Sequence, residues 1–416
     1  MKLLDSLVTV GTEKPKYELA DIIRQFGKAY RARYYVTPKQ RKAMDDIVAC
    51  RTAALGGYVE RCDACGKLRI SYCSCKNRDC PKCGAWEKAR WLAEFETKIL
   101  PIPYFHVVFT TDHHINELAR VFPRQIYNLL FRTAAKILKA YARKYLGGEI
   151  GFTMVLHTWG QTLEQHIHLH CIVTGGALQQ TKDGPHWKPC RKNFLFPVKP
   201  LSRDFRDEFC KGLKQLYHAG TAMATDKDLA GLKDVDIHRL VTQLRSKRWE
   251  VFIKSAPDDP RILCEYLGRY TQRSAISNYR IVGFADGKVS FTYYDNRDGG
   301  TKKVMTLDAI EFIRRFLQHV LPSGFHRVRH YGLHHSCKRG ALALIRGQLG
   351  LTPELPAARE LELHDWIESI TGKDPRVCPF CSKGLMRPYA EFGPVSPLKR
   401  KVIFWLGIPT RGQVMG

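Results

Sequence analysis

The run "QHIHLHCIV", residues 165–173, sets histidines at alternate positions: His166, His168 and His170. Successive side chains of a strand point to opposite faces. The three imidazoles therefore share one face, and Ile167, Leu169, Cys171 and Val173 turn to the other, toward a core. Histidines that only fill a core occur singly, whereas two imidazoles two residues apart on a rigid strand can chelate one cation. His157, at the end of the preceding strand-like run "GFTMVLHTWG", is a third candidate ligand if the two strands pair; Gln161 and His166 compete for that place. Imidazole donors with open coordination positions suit Mn²⁺ or Zn²⁺, and Mg²⁺ when phosphate oxygens complete the shell. An ion held this way is a Lewis acid for a phosphodiester.

A second constellation is "EYLGRYTQR", which places Tyr266 and Tyr270 four residues apart on one face of a helix. Leu263 and Leu267 share much of that face, so packing of both rings on a sheet is the structural alternative. The chemical reading is attack of a phenol on phosphorus, giving a phosphotyrosine and a free 3′ hydroxyl. The phenol needs assistance, because its ordinary pKa is near 10. A cation on the scissile phosphate, together with Lys254, Arg269 or Arg273, would supply it. Two tyrosines would allow two successive transfers.

A third constellation is sulfur. Six of the 14 cysteines lie between Cys62 and Cys83. Cys62-x2-Cys65 and Cys80-x2-Cys83, separated by 14 residues, are two knuckles able to give four thiolates to one tetrahedral zinc. Gly66 and Gly84 each follow a second thiolate, where the chain turns tightly. Cys73 and Cys75 lie between the pairs; they could serve a second metal, or Cys75 could replace one of the four. Four thiolates leave no position for water, so the expected role is structural. Lys67, Arg69, Lys76, Arg78 and Lys82 beside the knuckles suggest DNA contact. Cys378-x2-Cys381 is half of another such site, with Cys337, His334 and His335 as partners by chemistry alone.

The elements that must position these groups alternate irregularly. Helical spacing runs through "ELADIIRQFGKAYRARYY" and "TPKQRKAMDDIVACRTAAL", where Thr37-Pro38 is a start signal. A helical stretch occupies about 113–146, with Pro123 marking a break or a second start, and others are expected near 202–222, 236–246 and 307–320. Strands are expected at 104–111, 248–256 and "FHRVRHY". "YRIVGFADGKVSFTYYD" reads as a hairpin turning at Asp286-Gly287. Residues 174–200 read as an irregular excursion. Asp259 and Pro260 read as the N-cap and first residue of the tyrosine helix. Without a βαβ rhythm, the fold class is α+β, an antiparallel sheet with helices packed on it.

The chain has 67 Lys and Arg against 40 Asp and Glu, a formal charge of +27 over 416 residues. Such a balance calls for a polyanionic partner, of which nucleic acid is the usual one. No apolar run approaches the ~20 residues of a membrane span. The N-terminus makes a poor secretory signal, so the expected compartment is a reducing cytoplasm, where clustered thiols hold metal.

Four segments together resemble the HUH-type tyrosine transposases of bacterial rolling-circle insertion sequences, the family founded on insertion sequence ninety-one. "SCKNRDCPKC" resembles its zinc-binding domain, "HTWGQTLEQHIHLHCIVTGG" its histidine-hydrophobe-histidine motif, "YLGRYTQRSAISN" its tyrosine motif, and "RRFLQHVLPSGFHRVRHYG" the segment that follows. Asp79 stands where a histidine is common, Cys73 where a polar residue other than cysteine is usual, and Ile167 where proline is frequent. The resemblance implies a nuclease and strand transferase for single-stranded transposon ends and target, acting through a 5′-phosphotyrosine. It implies a palm-type antiparallel sheet carrying a Mg²⁺ or Mn²⁺ site at His168, His170 and His157, with Tyr266 and Tyr270 as nucleophiles and Lys254 assisting. Zinc would sit among Cys62, Cys65, Cys75, Cys80 and Cys83, and DNA would meet Arg269, Arg273, Lys76 and Arg78. The expected segments are a helical region 1–50, a zinc-binding domain 51–98, a catalytic domain 99–332 and a basic C-terminal region 333–416. Action at the bacterial nucleoid is expected, and a homo-oligomer is compatible with the resemblance. A replication initiator or relaxase would share this chemistry. A zinc-ribbon DNA-binding protein without catalysis would keep only the thiol module.

Overall fold

The computed structural model describes residues 15–222, 236–256, 262, 263, 268, 274–295 and 298–395. The chain divides into two compact units that interleave along the sequence: residues 1–90, 272–320 and 360–416 in one, 91–271 and 321–359 in the other. The expectation of four consecutive segments differs from this division, because strand pairing brings distant stretches together.

The first unit opens with α1 (Leu19–Arg33) and α2 (Pro38–Ala49). The start of α2 is the expected one. Thr37 caps Gln40 N, Gln40 answers through its side chain, and Pro38 takes the first helical position, where a missing N–H costs nothing. Next come β1 (Gly57–Cys62) and β2 (Leu68–Tyr72), with β14 (Met386–Phe392) on the other edge of β1. A second sheet holds β10 (Ile281–Ala285), β11 (Lys288–Asp295) and β12 (Thr301–Asp308). Its tight turn has Asp286 at φ 49° and Gly287 at φ 72°, the two left-handed residues a type I′ hairpin requires. The strand β12 is not legible in the sequence, since Val304 is exposed while Lys303 is half-buried, which breaks the alternation, and its run ends directly in α8 (Ala309–Leu317). Gln40 Nε2 donates to Leu317 O at 2.9 Å, and Leu19 N donates to Asn278 Oδ1 at 3.1 Å, so the first two pieces of this unit are tied together at α1 and α2, and the pairing of β1 with β14 ties in the third. The helix α10 (Leu363–Thr371) sets Trp366 against Trp86, with ring centroids 5.5 Å apart.

The helix α3 (Ala85–Glu96) carries the chain into the second unit. There, among the described residues, five antiparallel strands form one sheet in the order β13-β5-β6-β3-β9: β3 (Tyr104–Thr110), β5 (Gly151–Trp159), β6 (Gln165–Thr174), β9 (Val251–Ser255) and β13 (Val328–Gly332). Phe105, Val107 and Phe109 of β3, Phe152, Met154 and Leu156 of β5, and Ile167, Leu169, Cys171 and Val173 of β6 join one hydrophobic core. That core also takes residues from α4 (Ile115–Val121), α5 (Pro123–Tyr141), α6 (Val198–Ala222) and α7 (Ile237–Ser246). Of the two alternatives at Pro123, the second helix start is the one found: Pro123 begins α5.

Residues 174–200, expected to be irregular, instead carry a hairpin of β7 (Gly176–Thr181) and β8 (Gly184–Pro189), extended by the short β4 (Gly148–Glu149). Its turn glycine, Gly184, lies at φ 106°, and in β8 only Trp187 is buried, between exposed pairs that each include a proline, which hides the period-two pattern. The helix α9 (Arg339–Gln348) is joined to β8 by Gln348, whose Oε1 accepts from Trp187 N at 2.7 Å.

The end of β13 depends on a glycine. Gly332 pairs with Gly151 at φ 55°, and a Cβ there would lie 1.9 Å from Ile150 O. Gly332→Ala is expected to destabilise by well over 2 kcal/mol, combining left-handed strain with a backbone clash. Gly324→Ala, at φ 67° with open space around it, should cost only about 1 kcal/mol. Urea unfolding of the two variants checks the difference.

Candidate metal centres

The histidine cluster is built by register. In the sheet His157 of β5 lies directly across from His168 of β6, and Val155 across from His170. The strand β3 sets Thr110 against His168 and Val108 against His170 on the other side. With the odd-numbered residues of β6 in the core, His168 and His170 are forced to the opposite face with His157. One ligand atom from each of these three rings lies within 4.8 Å of the others.

Hydrogen bonds fix which ring edges meet. His168 Nδ1 donates to His166 O at 2.8 Å, which leaves Nε2 as an acceptor edge. His170 Nδ1 is engaged by His106 Nε2 at 2.8 Å, and its own Nε2 lies 3.1 Å from His168 Nε2. Adjacent nitrogens on a cation with M–N near 2.1 Å are separated by about 3.0–3.4 Å, so the pair already has a chelate's spacing. Trp159 stacks on His157 at 4.7 Å, and Arg327 lies over Trp159 at 5.6 Å, which holds the third ring. Burial, and then the like charges of neighbouring imidazoles, hold His168 neutral with a pKa lowered to about 3; burial lowers His170 well below its ordinary value. Neutral imidazole is the form that ligates a metal.

His106 was not among the residues singled out from the sequence. It belongs to "YFHVVFTT" and looks like a strand histidine of unknown face; the pairing of His106 with Ile172 puts it on the imidazole side. Its pKa is lowered to about 4 by burial, with a smaller contribution from Lys254. Lys254 pairs with His106 across β3 and β9, so it is on the expected face. It stands beside His106, about 10 Å from β6 because one strand intervenes. His166 is exposed and contributes its backbone oxygen, and Gln161 is exposed on the turn.

The thiols divide into two groups, not the single four-thiolate site expected from the adjacent knuckles. Cys75, Cys80 and Cys83 converge with Cys50, the last residue before "RTAAL"; Cys50 Sγ lies 3.9 Å and Cys75 Sγ 3.5 Å from Cys83 Sγ. Cys62 and Cys65 converge with Cys378 and Cys381. Cys73 belongs to neither group. Cys50 escaped notice because it sits alone at a helix end, with 24 residues between it and Cys75. The partners found for Cys378 and Cys381 are thus Cys62 and Cys65, not Cys337, His334 or His335, the partners offered by chemistry alone; His335 Nδ1 contacts Cys337 Sγ at 3.0 Å, and His334 Nδ1 contacts Thr153 Oγ1 at 3.0 Å.

Comparison with known proteins shows what carries these centres. A family model described as "Putative transposase" matches residues 151–341, and another, "Transposase zinc-binding domain", matches residues 22–111. The curated "Putative transposase y4qJ" of Sinorhizobium fredii is 44% identical over 376 residues, covering 89% of this chain and 94% of that protein. "Transposase for insertion sequence element IS801" of Pseudomonas savastanoi pv. phaseolicola is 28% identical over 293 residues, covering 69% and 68%. The chain belongs to the transposases of the insertion sequence ninety-one family. No solved structure matches it.

The transposase therefore carries a zinc-binding domain within which the Cys50, Cys75, Cys80 and Cys83 group falls entirely. Of the basic residues expected to meet DNA there, Lys76 is exposed and Arg78 half-buried. Two others serve the fold. Lys82 is buried in an ion pair with Glu18 at 2.6 Å, and Arg69 clamps Glu60 through both guanidinium edges and Pro375 O at 2.7 Å. Tyr266, Tyr270, Arg269, Arg273, Asp259 and Pro260 lie outside the described residues. Among the described residues, no helix is long and apolar enough to cross a membrane.

The imidazole face extends to a buried network in which Thr153 Oγ1 contacts both His330 Nδ1 at 2.9 Å and His334 Nδ1 at 3.0 Å. Burial lowers the His334 pKa to about 3. An unfolded-state histidine takes a proton below about 6.5, whereas folded His334 does not until about 3. Stability is thus highest above pH 6.5 and is lost as pH falls through that window. Between pH 7 and 5 the loss from His334 should be about 2 kcal/mol. Urea unfolding at both pH values should show a loss smaller by that amount in His334→Asn.

Proposed function

We propose that this transposase nicks and rejoins single-stranded DNA by transesterification, with Tyr266 and Tyr270 as nucleophiles. A phenol oxygen attacks phosphorus, the P–O3′ bond breaks, and the products are a 5′-phosphotyrosine and a 3′ hydroxyl. The observation that carries the reading is the convergence of His157, His168 and His170, with the outer edges of His168 and His170 occupied by His166 O and His106. A donor set of neutral imidazoles, with room for phosphate oxygens, fits Mn²⁺ or Mg²⁺. Bound there, such an ion would supply Lewis-acid charge neutralisation at the scissile phosphate.

The chain's own residues do the rest. His106 and His166 O fix the ring orientation of the two β6 imidazoles, a positioning role that needs no contact with DNA. Lys254, exposed on the same face, is placed to pair with a backbone phosphate. The charge of +27 supports a nucleic-acid partner whose binding weakens with salt. Two nucleophiles four residues apart let one hold the first cut strand while the other attacks the next. Lys76 and Arg78 of the zinc-binding domain, with Arg269 and Arg273, would grip the strand backbone.

The test incubates the protein with Mn²⁺ or Mg²⁺ and end-labelled single-stranded DNA, then looks for a denaturant-resistant adduct. Wild type should form it and Tyr266→Phe/Tyr270→Phe should not. Cut DNA with water-derived ends and no attached protein would defeat the proposal. His106→Phe should weaken Mn²⁺ binding by about 10- to 100-fold, as loss of an outer-shell partner does, read by metal titration in the absence of DNA.

A further inference from the structure

Cys62, Cys65, Cys378 and Cys381 lie outside the reading just given, and Cys378 and Cys381 lie beyond both ranges matched by the family models. We propose that these four thiolates hold a second structural zinc, which fastens the C-terminal segment onto the zinc-binding domain.

The geometry is that of a filled site. Cys62 Sγ lies 3.7 Å from Cys381 Sγ, and Cys65 Sγ lies 3.8 Å from Cys378 Sγ. Four sulfurs at about 2.3 Å around a tetrahedral zinc are separated by about 3.8 Å, whereas a disulfide needs about 2.05 Å.

The two knuckles are built alike although 312 residues lie between Cys65 and Cys378. Cys62 N donates to Lys67 O and Gly66 N to Cys62 O; in the other knuckle Cys378 N donates to Gly384 O and Ser382 N to Cys378 O. The residue after each second cysteine is left-handed: Gly66 at φ 71° and Ser382 at φ 54°. A serine in that conformation carries strain, and the strain is retained because the turn aims backbone N–H groups at sulfur. Cys65 N donates to Cys62 Sγ and Phe380 N to Cys378 Sγ, both at 3.4 Å, so each knuckle turns a backbone N–H onto its first sulfur in the same way.

The knuckles also interlock. Asp63 N donates to Leu385 O at 3.1 Å, and Leu385 N donates to Asp63 Oδ1 at 2.7 Å. Gly384 permits the approach, since a Cβ there would lie 2.6 Å from Cys62 Sγ, Ala64 Cβ and Asp63 Oδ1. Around them the local hydrophobic core is Cys62, Cys378 and Met386, with Cys381 against it. A core this small does not hold a fold without a staple, and its content is mostly the sulfur a metal would bind.

Zinc is favoured by a soft, closed, four-sulfur set. The consequence is that the thiol module is completed from two ends of the chain: residues 22–111 contain one whole site and half of the other.

Zinc content of the full-length protein, measured by elemental analysis and by mercurial release into a colorimetric chelator, tests this. Wild type should hold two zinc ions per chain, Cys378→Ser/Cys381→Ser one, and Cys73→Ser two. A single zinc in wild type, or two retained in Cys378→Ser/Cys381→Ser, would overturn the proposal. Should that variant fail to fold, alkylation of wild type decides. Cys378 and Cys381 should resist iodoacetamide until a chelator is added, while Cys73 reacts throughout. Reactivity of Cys378 and Cys381 before chelation, or a Cys62–Cys381 or Cys65–Cys378 disulfide in protein purified under reducing conditions, would refute it.

Discussion

One constraint governs the imidazole face: β6 is a central strand of an antiparallel sheet whose other side is sealed by helices. The side-chain period of a strand is two, so burying Ile167, Leu169, Cys171 and Val173 leaves His168 and His170 no alternative face. A slip of one residue would drive both imidazoles into a core of phenylalanine and leucine and expose four apolar side chains. The hydrophobic effect thus sets the position of the imidazoles, at a strength no single hydrogen bond among them could supply. Pairing with β5 then supplies His157, and pairing with β3 supplies His106.

Burial has a second consequence there. His106, His157, His166, His168 and His170 crowd one face, and a charge on any of them would be repelled by the rest. His106, His168 and His170 are accordingly held neutral. The same desolvation that would be a cost to a charged core is what makes these rings donors. Lys254 and the general basic excess lie at the margin of this arrangement, where solvent remains and a phosphate backbone can be met.

The first unit is organised by different forces. It is assembled from three separated stretches of chain; β1–β14 pairing, the Arg69 bond to Pro375 O and the Cys62, Cys65, Cys378 and Cys381 group join the first to the last, while the Lys82–Glu18 ion pair and the Arg69–Glu60 clamp brace the first within itself. Residues that read as a basic DNA-contact cluster therefore divide in purpose. Lys82 and Arg69 are consumed by the fold, while Lys76 remains exposed. Charge alone did not separate them, because an ion pair with a residue 64 positions away leaves no local trace in the chain.

Much of the fold was legible because its signals are local. Period-two alternation marked β6, Asp286-Gly287 marked a I′ turn, Thr37-Pro38 marked a cap, and Pro123 marked a helix start. The hairpin β7–β8 and the strand β12 escape a period-two reading because polar and apolar residues do not alternate with burial there: Val304 is exposed while Lys303 is half-buried, and Ala177 and Leu178 are buried in succession. The sequence by itself determined that imidazoles would share a face, that thiols would cluster and that the chain would seek a polyanion, since these follow from residue type and spacing of a few positions. Only the tertiary structure decided that His106 supports His170, that Cys50 completes one sulfur group, and that Cys62 and Cys65 meet Cys378 and Cys381. Such meetings depend on strand order and register, which are settled by the packing of the whole core and by backbone pairing between remote segments, and neither is written in any short stretch of residues.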